Sequence, residues 1–114
     1  MANLTGFKRD NQGAYIEKHP SANIQYGLDF NDYLNSGDAV ASATVAIESI
    51  TGDASPLALP TDAATDVVVA SNVVNIRLNA GTSGNVYNVD VTITTTAGDT
   101  DVRRFRIVVG EKHL

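Results

Sequence analysis

Apolar and polar residues alternate with a period of two along most of this chain, the spacing of side chains on a half-buried strand. Ile24, Tyr26, Leu28 and Phe30 alternate with Gln25, Gly27 and Asp29, which predicts a strand with one apolar face. Ala43, Val45 and Ile47 face one way and Thr44, Ala46 and Glu48 the other, predicting a second strand that changes course at Ile50. Before these, Ala14 to Lys18 forms a short first strand. His19-Pro20 stops it, because Pro lacks an N–H and keeps its predecessor out of helix.

Residues Asp66 to Ser71 and Val73 to Asn79 read as a tight hairpin around Ser71-Asn72. In its second arm Val74, Ile76 and Leu78 alternate with Asn75 and Arg77. Its first arm, Val67-Val68-Val69, is apolar on both faces, as in a strand that is central or covered by something outside the domain. The last hairpin is the clearest: Tyr87, Val89, Val91 and Ile93 point inward on one strand, and Phe105, Ile107 and Val109 on the other. Residues opposite each other share a face, so odd pairs with odd and the loop holds an odd number of residues. A three-residue loop centred near Gly98 or Asp99 satisfies this, with Gly98 at the positive-φ position. Either registry brings Arg106 within reach of Asp90, directly or diagonally, and predicts a weak exposed ion pair.

Between the strands lie turn-forming stretches. Residues 28 to 40 cannot continue as a strand, because Asp29, Asn31, Asp32, Asn35, Ser36 and Asp38 favour caps and turns. Asn31 or Asp32 caps a single helical turn ended by Gly37, and Tyr33 and Leu34 fold back over the sandwich end. Ala54 to Ala64, with Pro56 and Pro60, is a loop with an edge segment at Leu57-Ala58-Leu59. Ala80 to Asn85 is a second loop. Residues 1 to 14 lack periodicity and read as an arm or a disordered tail, 15 to 110 as the domain, and 111 to 114 as a tail. About seven strands at short spacing predict an all-β fold, a Greek-key β-sandwich of immunoglobulin (Ig) type. The Cys-Trp-Cys core of antibody domains is missing.

Composition agrees with that picture. Thirteen Val and eleven Thr against three Phe and no Trp favour strands over helices. At 114 residues one domain is expected, and with no cysteine it must stand on its core alone. The longest apolar runs fall far short of the ~20 residues that span a bilayer. The first ten residues lack the apolar stretch of a signal peptide, so folding in a cytoplasm is expected and Asn3-Leu4-Thr5 is a chance sequon. A net charge of −5 disfavours nucleic acid, whose phosphates need a basic surface.

Candidate chemistry is sparse. His19 and His113 sit in a turn and at the C-terminus, and Gly81-Thr82-Ser83-Gly84-Asn85 lacks the Gly-Lys-Ser/Thr ending of a phosphate loop. Asp29, Asp32 and Asp38, with Asp99 and Asp101, would suit an end-of-sandwich calcium ion, but they also suit turns, and capping is the preferred reading. No catalytic residue, cofactor or metal is assigned. Arg103, Arg104 and Arg106, with Lys112, form a basic stripe. It is either a solvated face offset by Asp90 and Asp101 or a contact with an acidic neighbouring subunit. With Val68, these arginines are the candidate contact residues.

Several segments together resemble a known family. Lys18-His19-Pro20 precedes a strand, and Tyr26-Gly27-Leu28-Asp29-Phe30-Asn31-Asp32-Tyr33-Leu34 leads to Gly37-Asp38-Ala39-Val40. Then follow Gly81-Thr82-Ser83-Gly84-Asn85-Val86-Tyr87-Asn88-Val89, Thr94 to Asp101, and Arg104-Phe105-Arg106-Ile107-Val108-Val109. This order, over residues 16 to 110, resembles the small Ig-like proteins of tailed bacteriophages that serve as fiber-tail adaptors. Phe30 and Tyr33 stand where that family often has Trp, and its N-terminal segment is shorter. The resemblance implies a non-enzymatic virion protein, made in the host cytoplasm, that joins tail or neck to fibers in several symmetry-related copies. Its partners would be other virion proteins, with no nucleic acid and no membrane. Contacts would use a loop end, the outer face near Arg104 and Arg106, or the N-terminal arm. The rival readings are a capsid decoration or collar protein of the same fold, and an accessory carbohydrate-binding module.

Overall fold

The computed structural model describes residues 8–11, 13–31, 34 and 36–111. Two sheets pack face to face. The larger has the order β1 (Lys8–Asp10), β2 (Gly13–Lys18), β8 (Thr100–Val109), β7 (Val86–Thr95) and β4 (Val40–Ile47). The smaller has the order β3 (Ile24–Asp29), β6 (Val73–Leu78) and β5 (Val67–Ala70). All pairings are antiparallel except β2 with β8, which run parallel from Tyr15↔Arg106 to Lys18↔Val109. The chain passes between the sheets after β2, β3, β4 and β6, and stays within one sheet at the β5–β6 and β7–β8 hairpins. That is the immunoglobulin arrangement, with β2 as the parallel strand beside the last one.

The inward-facing residues predicted from alternation form one core. Val74, Ile76, Leu78, Val89, Val91 and Ile107 are completely buried, with Phe30, Tyr87, Ile93, Phe105 and Val109 almost so. Leu57 joins them from the long connection, where Ala58 bridges to Asn79, so the expected edge segment exists as a single bridge. Leu34, partly buried, packs against the core. Tyr33, expected with Leu34 over the sandwich end, and Asp32, one of the two expected caps of the helical turn, lie outside the described residues, as do residues 1–7, Lys112 and His113.

The structure narrows one expectation and corrects two. First, β5 is an edge strand, which removes the central reading and leaves the one in which it is covered from outside the domain. Val67 and Val69 face the core, and Val68 is exposed. Second, the connection before it contains a helical turn, α1 (Ala63–Asp66), built by carboxylates. Asp62 caps it by accepting from Thr65 N at 2.7 Å, and the buried Asp66 accepts from Thr61 N and Asp62 N at 2.6 and 2.9 Å. Third, the last hairpin turns one residue earlier than expected. Thr95 N donates to Asp99 O at 2.8 Å, which leaves Thr96-Ala97-Gly98 as the loop, with Gly98 at φ +94°. The odd count is as predicted, but the centre is Ala97.

The segment expected as an arm carries β1 from Lys8 onward, paired to β2 from Lys8↔Tyr15 to Asp10↔Gly13. Lys8 Nζ and Glu17 Oε1 lie 3.1 Å apart across that pair.

Candidate interaction surfaces

The hairpin register decides where the basic stripe goes. With the loop centred at Ala97, Asp90 lies opposite Arg104 rather than Arg106. Arg104 Nε donates to Asp90 Oδ1 at 2.7 Å and Nη2 donates to Oδ2 at 3.0 Å, a two-pronged contact. The Arg104 guanidinium holds the Asp90 carboxyl below its usual range. The expected Arg106–Asp90 pair is therefore corrected. Arg106 instead turns to the N-terminal hairpin: its Nη2 donates to Gly13 O at 3.2 Å, and the guanidinium sits 5.2 Å from the Tyr15 ring centroid. Arg103 has the parity of Phe105 and so leaves the strand on the opposite side. It stays exposed and pairs with Asp101 at 3.0 Å.

The outer face of the larger sheet thus falls into two zones. Toward β1 it is charged and internally paired, through Lys8–Glu17, Arg106–Tyr15 and Arg104–Asp90. Toward the β7–β8 turn it is uncharged, with Thr44, Thr92 and Val102 in one row and Ser42, Thr94 and Thr100 in the next. Val102 is 53% exposed. Val68 lies elsewhere, on the outer face of the smaller sheet in a row with Asn75 and Gly27. The sequence-derived contact residues therefore divide among the outer face of the larger sheet (Arg104 and Arg106), its other side (Arg103) and the outer face of the smaller sheet (Val68), and do not form one patch.

The corner between β3 and β4 gathers with the two hairpin turns at one end. Asp29 Oδ1 accepts from Asn31 N and Nδ2 at 2.9 and 2.7 Å, so Asp29 rather than Asn31 makes the first turn bond. Asn72, at the β5–β6 turn, ties the corner together. Its carbonyl accepts from Phe30 N at 2.9 Å, its Oδ1 from Val40 N at 3.0 Å, and its Nδ2 donates to Asn31 Oδ1 at 3.1 Å. Ser71 and Asn72 both have positive φ, which fits the tight turn read from sequence. Gly37 has φ +81°. Asp38 reaches the β7–β8 turn, where its Oδ1 accepts from Thr96 Oγ1 at 2.7 Å, Ala39 N at 2.8 Å and Ala97 N at 3.1 Å. These bonds, led by the Thr96 hydroxyl, pull the Asp38 carboxyl down to about 2.

The opposite end holds groups that sequence reading did not single out. Tyr87 points inward as predicted, but its hydroxyl accepts from Thr82 N at 3.0 Å and donates to the Asp53 carboxylate. A tyrosine at the start of this strand bonding back to the loop before it is a known device of Ig-like sandwiches. Asp53 also accepts from Thr82 Oγ1 and from Ser55 N, and the Thr82 and Tyr87 hydroxyls lower its pKa. Lys18 is 2% exposed, with Nζ donating to His19 O at 2.9 Å and Ala80 O at 2.6 Å. Burial pushes its pKa down. The alternation pattern gave no signal for Lys18, because a strand's last residue can lie on either side of the boundary. His19 is exposed and uses Nδ1 to accept from Ser21 N at 3.0 Å, a turn contact.

Among the described residues no group of three His, Cys, Asp or Glu is placed to hold a metal ion. No helix among them is long and apolar enough to cross a membrane. What the arrangement offers chemically is surface: two outer faces, and one end where three turns meet. A family model described as podophage GP4 fiber-tail adaptor protein gp77 matches residues 18–108, most of the sandwich but neither β1 nor all but the last residue of β2. No curated protein matches the chain.

Proposed function

The chain belongs to the podophage GP4 fiber-tail adaptor family, and from that premise we propose that it is a virion structural protein joining tail to fibers. Its action is binding, with no bond made or broken, to other virion proteins and in several symmetry-related copies. The observation that carries this reading is the family match across residues 18–108, which spans both sheets. A small sandwich suits such a role, because a weak contact repeated around a symmetric assembly gains from multivalency.

We assign the contacts to the two outer faces and to Arg103, which leaves β8 on the other side of its sheet. Arg103 and Arg104 present cations from β8, Arg106 buttresses the same strand through Tyr15, and Val68 offers apolar surface on the opposite face. An exposed apolar residue on an edge strand, flanked by a polar sheet face, fits a protein partner better than solvent. The test is location on the intact particle. Gold-labelled antibody against the chain should mark the tail-proximal vertex of each virion. Label distributed over the whole shell would replace the adaptor reading with capsid decoration. Val68→Glu and Arg103→Glu should each fold normally yet lower incorporation into particles. Wild-type incorporation of both variants would remove these residues from the contact.

A further inference from the structure

Among the described residues four strands end the two sheets, and they are not guarded alike. β1 is three residues long and consists of Lys8, Arg9 and Asp10. β3 is six residues, interrupted by Gly27 and closed by Asp29, and β5 is four residues. β4 is eight residues, Val-Ala-Ser-Ala-Thr-Val-Ala-Ile, with no charge, no Pro and no Gly. Shortness, charge, Pro and bulges are what keep an edge strand from pairing with another chain, and β4 has only a register shift at its Val40–Ser42 end. The direction of its backbone groups is set by β7. Thr95 N donates to Asp99 O on the β8 side, while Thr96 N donates to Ala39 O and Asn88 O accepts from Glu48 N on the β4 side. Ladder bonds alternate along an antiparallel strand, so from Ser42 onward the even residues of β4 bond to β7. Ala43, Val45 and Ile47 therefore turn N–H and C=O to the open edge, where no described strand pairs with them. The connection after β4 runs elsewhere: Ser55 O accepts from Gly81 N, and Ala58 pairs with Asn79.

We propose that this edge pairs with the β4 edge of a second copy of the chain, antiparallel about a two-fold axis at Val45. Beyond the register shift the regular stretch runs from Ser42 to Glu48, and Val45 is its midpoint. About that axis Ala43 meets Ile47 and Val45 meets itself, so every outward-turned N–H faces a C=O. The strand also complements itself in charge and shape. Glu48, the first charge beyond it, meets Ser42, which keeps the two Glu48 side chains at opposite ends of the join. Ala43, Val45 and Ile47 are partly buried at the core margin and meet their like, as do the exposed Ser42, Thr44 and Ala46. The uncharged rows through Thr44, Thr92 and Val102 and through Ser42, Thr94 and Thr100 then continue from one copy into the next. That copies stand close together in a particle rests on the adaptor reading; the pairing itself does not.

The chain has no cysteine, so introduced thiols report the register. Thr44 of one copy and Ala46 of the other would face each other as a non-hydrogen-bonded pair, with Cα atoms ~4.5 Å apart and within disulfide reach. An equimolar mixture of full-length Thr44→Cys and Ala46→Cys chains, in glutathione buffer, should form the mixed dimer about tenfold faster than either forms its own. Ser83→Cys, exposed in a loop at the other end of the sandwich, should be as slow as those single variants. In sedimentation equilibrium the wild-type chain should reach twice the chain mass as its concentration rises. Ala43→Pro removes an outward N–H without taking a bond from β7, and Thr44→Lys guards the edge with charge at an exposed site. Each should return the chain to monomer. If Ala43→Pro does not fold, Thr44→Lys decides. A wild-type monomer at millimolar concentration, mixed cross-linking no faster than the Ser83→Cys control, or a dimer undiminished in Thr44→Lys would each overturn the proposal. Particle labelling tests the adaptor reading separately, so failure here leaves that reading standing.

Discussion

Single side chains decide how the two ends of the sandwich are closed. Tyr87 does so with an almost fully buried ring whose hydroxyl binds Thr82 N and Asp53. Tyr87→Phe keeps the ring and strands the Thr82 N–H, so it should cost roughly 1–2 kcal/mol in chemical denaturation. No change in the denaturation midpoint would show that water replaces the hydroxyl at no cost. Gly81 closes the same end for a different reason. Its φ is +97°, and a Cβ there would meet Val109 Cγ2 at 2.9 Å. Gly81→Ala therefore adds a clash in the core to backbone strain and should destabilise by roughly 2–4 kcal/mol. At Gly98, with φ +94° and open space around it, Ala should cost only about 1–2 kcal/mol. The same ranking in thermal melts is the check, and equal losses would mean that the loop moves to relieve Gly81. Sequence showed that Tyr87 points inward, because alternation fixes the face of a side chain. It could not show where the hydroxyl goes, since Asp53 lies 34 residues away and no local pattern links them.

Among the elements, strands with one buried face were legible and those with weak alternation were not. β7 and β8 were readable to the parity of each residue, because every second position is buried along most of their length. Their loop centre was off by one residue, since the pattern constrains only whether the loop count is odd. That single residue moved the ion pair from Arg106 to Arg104 and freed Arg106 to hold Tyr15. α1 escaped because a single turn has no periodicity; Asp62 ahead of Ala63-Ala64 was its one signal. β1 escaped because three residues cannot show alternation. The pairing of β2 with β8 yields a prediction at this scale. β2 contributes Ile16 to the core margin and covers the Arg106–Val109 stretch of β8. Phe105→Ala, in the strand's buried centre, should cost roughly 3–5 kcal/mol. Ile16→Ala, on the half-buried margin, should cost less, about 1–2 kcal/mol, because the site is already partly open. A loss at Ile16 as large as that at Phe105 would mean that the N-terminal hairpin is integral to the core and not an addition to it.

For the whole molecule, the balance of charge sets the pH range in which the sandwich holds. The carboxyls of Asp38, Asp53 and Asp90 are all depressed: the first two by hydroxyl donors, and Asp90 by Arg104. A group whose pKa is lower folded than unfolded stabilises the fold above its unfolded value and loses that contribution as pH falls through its folded one. For Asp38 the window runs from the ordinary carboxylate value of about 4 down to about 2. Tyr26 acts at the other limit, where burial of its ring raises the hydroxyl to about 12. Its contribution is complete below the ordinary value of about 10 and is lost as pH rises through about 12. Denaturation midpoints measured across pH should therefore be flat through neutrality, fall between about pH 4 and 2, and fall again above about pH 10. The two limbs have separate origins and can be removed separately. Asp38→Asn should lower stability at neutral pH and make the acid limb shallower, while leaving the alkaline limb where it is. Tyr26→Phe should flatten the alkaline limb alone. If Asp38→Asn left the acid limb unchanged, the tie between the β3–β4 corner and the β7–β8 turn would not be what holds that end of the molecule together in acid.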